Sequence, residues 1–333
     1  MNQQQRRQRG GAVRRGEQNQ EAAEAANLNN GAENDHNGND QAHRHDQDQG
    51  INNARMPVLF FGQFEEGRMH LARQERDLAN RLKAAVLHDT ENDMEPLSDF
   101  MYGQIAIVTL ADRNLQNRDL GKVLERVHHI QSMREEYRIL DTYQNGTKMI
   151  QRTFLELLPN FLLHFDYIAE KGAYLGVSNI TRFDMSIFSD PEKVKVWLAG
   201  VWYGNHAHNP DFAAIRQGLL HMVECGGYDW KNQNMLHIKA FTEWCPLSAV
   251  YPQQLQNIRH FNASNFVHLL AAMAKKLLPR QTTDAFEYVR GSDYGNLDEL
   301  FGVPTPEAAA RRTVAKMQES LKRRYDNEAS FSL

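Results

Sequence analysis

Cysteine is scarce in this sequence: only Cys225 and Cys245 occur. Two are too few for a disulfide framework and lack the C-x-x-C pairing of a structural zinc site, so a reducing, intracellular setting is expected. Long apolar runs are missing as well. No stretch of eighteen apolar residues occurs and no apolar leader core opens the chain, which predicts neither a membrane span nor secretion. The glycine-rich signatures G-x-x-x-x-G-K-[ST], G-x-G-x-x-G and G-x-S-x-G do not occur, which removes the usual footholds for phosphate loops and nucleophile elbows. An excess of positive charge is lacking too. Formal net charge is -4; residues 1–52 carry six Arg against eight Asp and Glu, leaving 32 basic and 34 acidic residues for the rest. Duplex coating rests on many Lys and Arg contacts to phosphates, so this balance argues against it while leaving room for a narrow basic groove.

Apolar residues are themselves scarce at the start of the chain. Residues 1 to about 53 are rich in Gln, Asn, Asp, Glu and His, with "NLNNGAENDHNGNDQAHRHDQDQG" at their centre. Such a tract buries too little to offset the entropy of ordering, so a disordered arm over residues 1–55 is expected. It opens on "RRQRGGAVRR", where Arg6, Arg7, Arg9, Arg14 and Arg15 precede any acidic residue. That cluster reads either as a basic arm for nucleic acid or an acidic partner, or as a solubilising tail.

Beyond the arm, the chain is helical in period almost throughout. Residues 64–88 place Leu71, Leu78, Leu82 and Val86 among alternating charges, and residues 120–140 repeat Val123, Val127, Ile130 and Met133 at steps of three and four. "MIQRTFLELL" stops at Pro159, and "FLLHFDYIAEKG" reads as a further helix ending on Gly172. "QIAIVTL" (104–110) is the best strand candidate, or else a short buried helix. With no βαβ rhythm and no internal repeat, the expected class is all-α. Two helical lobes are predicted, over 56–172 and 173–303, and then a C-terminal helical extension over 304–333. That last helix shows one thin stripe, Val314, Met317, Leu321 and Tyr325, and is expected to dock weakly or on a neighbouring subunit.

The stretch "VKVWLAGVWYGNHAHNP" (194–210) poses a sharper question, because two histidines one residue apart suggest half of a metal site. Ser189 to Glu192 reads as a capping box opening a helix that ends near Gly204, and Asn209–Pro210 reads as the start of a second helix stopped at Gly226 and Gly227. His206 and His208 then fall in a short connector, solvent-facing or capping. No H-E-x-x-H supplies further ligands, and neither a metal nor a cofactor is expected. Cys245, between Trp244 and Pro246, reads as a small buried residue rather than a nucleophile. No enzymatic activity is expected.

The most promising chemistry lies between residues 257 and 295. Arg259, Lys275, Lys276, Arg280 and Arg290 are interleaved there with Phe261, Phe266, Phe286, Tyr288 and Tyr294. Single-stranded nucleic acid wants this mixture, cations for phosphates and flat rings for unstacked bases. The competing reading is a core helix (Phe266, Leu269, Leu270, Met273, Leu277) whose basic end suits its own dipole.

Over roughly residues 189–322 the order of segments resembles the coat proteins of flexible filamentous plant viruses, the potyvirus and potexvirus type. "VWLAGVWYGNHAHNP" resembles the helix and Asn-Gly-x-Ser-Pro-Asn turn of that family, and "FNASNFVHLLAAMA" is similar to its helix beginning Phe-Arg-Gln. "AFEY" is similar to its Ala-Phe-Asp-Phe, with Glu287 where the family has Asp, and "EAAARRTVAKMQESL" resembles its Ala/Arg/Met-rich helix. The resemblance implies a helical core that holds single-stranded RNA, flanking arms that link copies into a homo-oligomer or filament, and location in the virion and host cytoplasm. It also implies a place for Glu287 in the RNA site. Residues 56–170 have no counterpart in that family, and nucleoproteins of negative-strand viruses share the general plan. A helical protein–protein adaptor with a disordered tether is the alternative expectation.

Overall fold

Between residues 160 and 290, the segment read as a helix up to Gly172 is not one, and the helix read over 210–226 is helical only at its start. The computed structural model describes residues 68–89, 94–112, 114, 118–228, 239, 242–244, 246–247, 249–278, 283–289 and 306–333. The arm with its Arg cluster, Cys245, Arg280, Arg290 and Tyr294 lie outside the described residues. An all-helical region, α1 (Arg73–His88), α2 (Asp99–Ala111), α3 (Leu120–Glu136) and α4 (Tyr143–Gln151), comes first. A π-helical turn (Arg152–Leu157) then leads into the strands β1 (Leu162–Ile168) and β2 (Ala173–Asn179). Helix α5 (Pro191–His208) and the short α6 (Phe212–Gln217) precede β3 (Leu219–Glu224) and β4 (Leu255–Phe261). Helix α7 (Asn265–Leu277), β5 (Phe286–Val289) and the long α8 (Pro306–Ser330) complete the order.

The five strands form one sheet in the order β1-β2-β3-β4-β5, antiparallel between β1 and β2 and parallel thereafter. The all-α expectation is therefore wrong, and the fold is α/β. The first error has a local cause. "FLLHFDYIAEKG" ends on a glycine at φ +63, as a helix would, but Gly172 serves the turn of the β1–β2 hairpin, where the same left-handed backbone is needed. The expected boundary between lobes at 172/173 falls inside that hairpin. The predicted helix from 210 to 226 is likewise cut short: Gly218 sits at φ +76 against the Gln254 carbonyl, and β3 begins at once, Leu219 N–H donating to that carbonyl at 2.8 Å.

In the helical region, "QIAIVTL" belongs to α2. Ser98 caps that helix by accepting from Met101 N–H, and every residue from Phe100 to Thr109 is buried. A helix buried on all sides has no polar face, so its period disappears from the sequence. Helix α5 is capped by Asp190, whose carboxylate accepts from Glu192 and Lys193, with Pro191 at the first helical position; Ser189 lies in the preceding 3₁₀ turn. The helix continues past Gly204 to His208, and Asn209 closes it by donating to the Asn205 carbonyl. Asp211 caps α6.

Helix α8 lies within the core rather than detached from it. Its Val314, Met317 and Leu321 join the main cluster with Trp202, Tyr203 and Ile150 from α5 and α4, and Thr313 donates to the Leu163 carbonyl on β1. Its Arg324 is fully buried, donating to Gln104 and to the Asn209 carbonyl, with its guanidinium 3.8 Å from the centre of the Phe100 ring. The weak docking expected of this helix rested on counting large apolar side chains alone, which overlooks an arginine whose donors are all consumed inside.

Candidate nucleic-acid interface

Strand alternation sorts the predicted segment onto two faces. Ile258 and His260 of β4 pair with Phe286 and Tyr288 of β5, and these side chains meet α7: Ile258 and Tyr288 join the cluster of Phe266 and Val267, and His268 lies 5.1 Å from the Tyr288 ring. Arg259 and Glu287 are on the opposite face. Arg259 Nε donates to the Glu287 carboxylate at 2.9 Å, and Asn257 donates to the same oxygen at 2.9 Å. The Asn257 bond, with Arg259 second, holds the Glu287 carboxyl below the usual range. So the structure brings Arg259 and Glu287 together as an exposed ion pair. Lys275 and Lys276 are exposed near the end of α7, the helix that covers the other face. Phe261 and Phe266 are buried, and Phe286 and Tyr288 are half-buried against His260, with ring centres 5.3 and 4.8 Å away.

A second set of cations and rings, which sequence reading missed, gathers where α8 runs beside β1. Arg312, Lys316 and Arg323 recur on α8 at steps of four and seven, so they share one face of that helix. Lys316 pairs with Asp166 on β1, while Arg323 and Arg68 both reach the buried Asp211, at 2.7 and 3.8 Å. The Arg68 guanidinium also lies 5.5 Å from the centre of the half-buried Tyr167 ring, and Tyr174 is 5.2 Å from Tyr167. Four cations, Arg68, Arg312, Lys316 and Arg323, thus stand against three carboxylates, Asp166, Asp211 and Glu319 of the same α8 face, a local excess of one.

The titrating groups feel that excess. Burial is the main reason that His164 is held below its ordinary value; Asp166 opposes the shift, and Lys316 and Arg312 add to it. Burial is the largest influence on Asp166 and works against its charge, but the bond and charge of Lys316, the Tyr167 N–H and His164 together outweigh it, and its carboxyl lies below the usual range. The strip offers phosphate oxygens charge-assisted donors and offers bases two adjacent flat rings. The signal in the sequence was the "RRTVAKMQESLKRR" periodicity of α8; Tyr167, Tyr174 and Arg68 are distant in the chain and invisible to such a scan.

His206 and His208 do not lie in a connector. Both are in the last turn of α5, and His206 is fully buried, its Nε2 3.1 Å from Asp141 Oδ1. Tyr325 donates to the same oxygen at 2.7 Å, and Arg134 lies 3.6 Å from the other. Burial opposes charge on Asp141, but His206, Arg134 and Tyr325 together hold its carboxyl well below the usual range. Each partner comes from a different part of the fold, so this network ties α3, α5 and α8 together. Among the described residues, no three His, Cys, Asp or Glu side chains are grouped as a metal ion would require. A small concavity beside the network, lined by Met133, Trp202, Leu247 and Tyr251, has room for little more than water.

Comparison with models of known protein families gives no match, and comparison with curated proteins gives none either.

Proposed function

We propose that the chain is a viral coat or nucleocapsid protein that oligomerises on single-stranded RNA, in the virion and the host cytoplasm. The observation that carries this reading is the α8–β1 strip, where Arg312, Lys316 and Arg323 share one helix face, Arg323 acting on Tyr174 and Arg312 and Lys316 on His164 and Asp166. Cations spaced along one helix face follow a sugar–phosphate backbone without reading its sequence, as packaging of a whole genome requires. Lys275 and Lys276 are exposed cations away from the strip, Arg259 is paired with Glu287, and the Arg cluster of residues 6–15 supplies a further arm for RNA or for a neighbouring copy. No catalytic role is assigned to any residue, and no cofactor is invoked.

Titration of a fluorescent single-stranded oligonucleotide at several salt concentrations tests the reading. Wild type is expected to bind with a steep salt dependence. Arg312→Ala with Lys316→Ala should lower the slope of log K against log salt by about 0.7 for each phosphate that is no longer neutralised. Deleting residues 1–52 should leave binding by the body measurable while disrupting regular assembly, scored by electron microscopy. A body that binds no oligonucleotide at low salt and stays monomeric with it would overturn the proposal and leave the protein–protein adaptor as the reading to pursue.

A further inference from the structure

A row of imidazoles crosses the sheet beneath the helices that cover it. His208, in the last turn of α5, and His221 of β3 both press on Gly176 of β2: a Cβ placed there would lie 2.7 Å from His221 Nδ1 and 3.1 Å from His208 Cε1. His221 Nε2 is 2.9 Å from Ser178 Oγ on β2. His260, next along on β4, stacks on Tyr288 of β5 at 4.8 Å and 19°, and His268 of α7 closes the row against the same Tyr288. His208 packs edge-on to Phe165 of β1 at 4.8 Å, with its Nδ1 shut off from water and without a hydrogen-bond partner; His268 Nε2 is in the same condition.

We propose that His208, His221, His260 and His268 form an acid-operated release between the sheet and its two covering helices, α5 and α7. At neutral pH the rings of His208, His221 and His260 are held uncharged by burial, and all four pack as flat groups. Protonation would place positive charges side by side along one sheet face, where little compensates them. Facing the row are Ser178 and, beyond Phe165, Tyr174 from β2, Cys225 just past β3, and Tyr288 from β5. Arg323 of α8 and Asp211, next to α6, lie by Tyr174. The carbonyls of Glu287 and Ile258 favour charge on His260, but burial prevails there. Glu287 and Glu224 carry their carboxylates on other partners, Arg259 and Asn257 for the first, Gly226 and Asn262 for the second. Among the described residues, no carboxylate forms an ion pair with any of the four.

Burial, then the neighbouring imidazole, lowers His208 to about 3 and His221 to about 4. An opened state, with these rings in water, binds protons from about pH 6.5 downward while the closed state does not, so stability is lost as pH falls through that interval. Each of the two histidines favours opening about tenfold per pH unit there.

Hydrogen exchange at pH 7 and pH 5, corrected for the intrinsic rate, measures the opening. In wild type the amides of β2, β3 and α7 are expected to lose protection by about 30-fold or more between pH 6.5 and 5, while α1 and α2 keep theirs. His208→Phe with His221→Gln keeps a ring against Phe165 and a hydrogen-bonding group at Ser178, and should flatten that response. Equal protection at both pH values in wild type, or an unchanged response in the variant, would overturn the proposal. Should the variant fail to fold, titration of the wild-type imidazole C2 protons by NMR decides: His208 and His221 titrating near 6.5 without loss of protection would also overturn it. The test needs no RNA, so its outcome is separate from that of RNA packaging.

Discussion

Two charged side chains, one fully buried and one mostly so, show how much one residue carries in this molecule. Arg324 gives its donors to Gln104, the Asn209 carbonyl and, at 3.4 Å, Glu328. Removing the guanidinium strands those acceptors in the interior, so Arg324→Met should cost about 3 kcal/mol, read as a lower urea midpoint with an unchanged slope. Asp141 is the second case. Because its carboxyl is held well below the usual range, its contribution is present above about pH 4 and is lost as pH falls through the native value. Asp141→Asn should therefore destabilise by about 2–3 kcal/mol at pH 7, and the gap to wild type should shrink in denaturation curves recorded at pH 3. The histidine row begins to act at about pH 6.5, well above that interval, so between pH 6.5 and 4 its effect is seen without that of Asp141.

Among the elements, α5 is the most constrained, since it packs on the π-helical turn, on α8 and on the sheet. Gly200 allows the closest approach. A Cβ there would fall 2.1 Å from Thr153 Oγ1, which itself donates to the Val196 carbonyl at 2.9 Å. Gly200→Ala must push the two elements apart and should cost about 1–3 kcal/mol in chemical denaturation. Gly204→Ala is the contrast. Its Cβ would meet the flexible end of Met317 at 3.4 Å and the Phe154 ring at 3.8 Å, ordinary contacts, so the better helix propensity of alanine should leave stability within about 1 kcal/mol of wild type. The strands tell a different story about elements. β3 and β4 carry their apolar residues without strict alternation, and in β1 Leu163, Phe165 and Tyr167 alternate with His164 and Asp166 over only five residues, so such short runs have little period to distinguish them from buried helix.

For the molecule as a whole, the C-terminal helix decides whether there is a body at all. Removing residues 306–333 takes Val314, Met317 and Leu321 from the largest cluster and Arg324 from the centre. Such a truncation should abolish the cooperative melting transition, whereas removing residues 1–52, which are nearly free of large apolar side chains, should leave the transition in place. Calorimetry of the two deletions checks both outcomes. The α8–β1 strip belongs to this scale too, because Arg68, Tyr167 and Arg323 come from three distant parts of the chain.

The amino-acid order was sufficient for the helices with a solvated face, α1, α3, α7 and α8, since a stripe of apolar residues at helical spacing has one stable way to be buried. It was also sufficient for Pro191 at the first helical position of α5. Only the tertiary structure decided that Gly172 and Gly218 mark the edges of strands instead of helix ends, since a left-handed glycine suits both. It alone decided the pairing across the sheet, that His206 meets Asp141, and that the Arg259 side chain lies on the face of the sheet opposite α7 and its Lys275. Those relations depend on which distant surfaces come to cover one another, and burial between them is a property of the packed whole that no local spacing encodes.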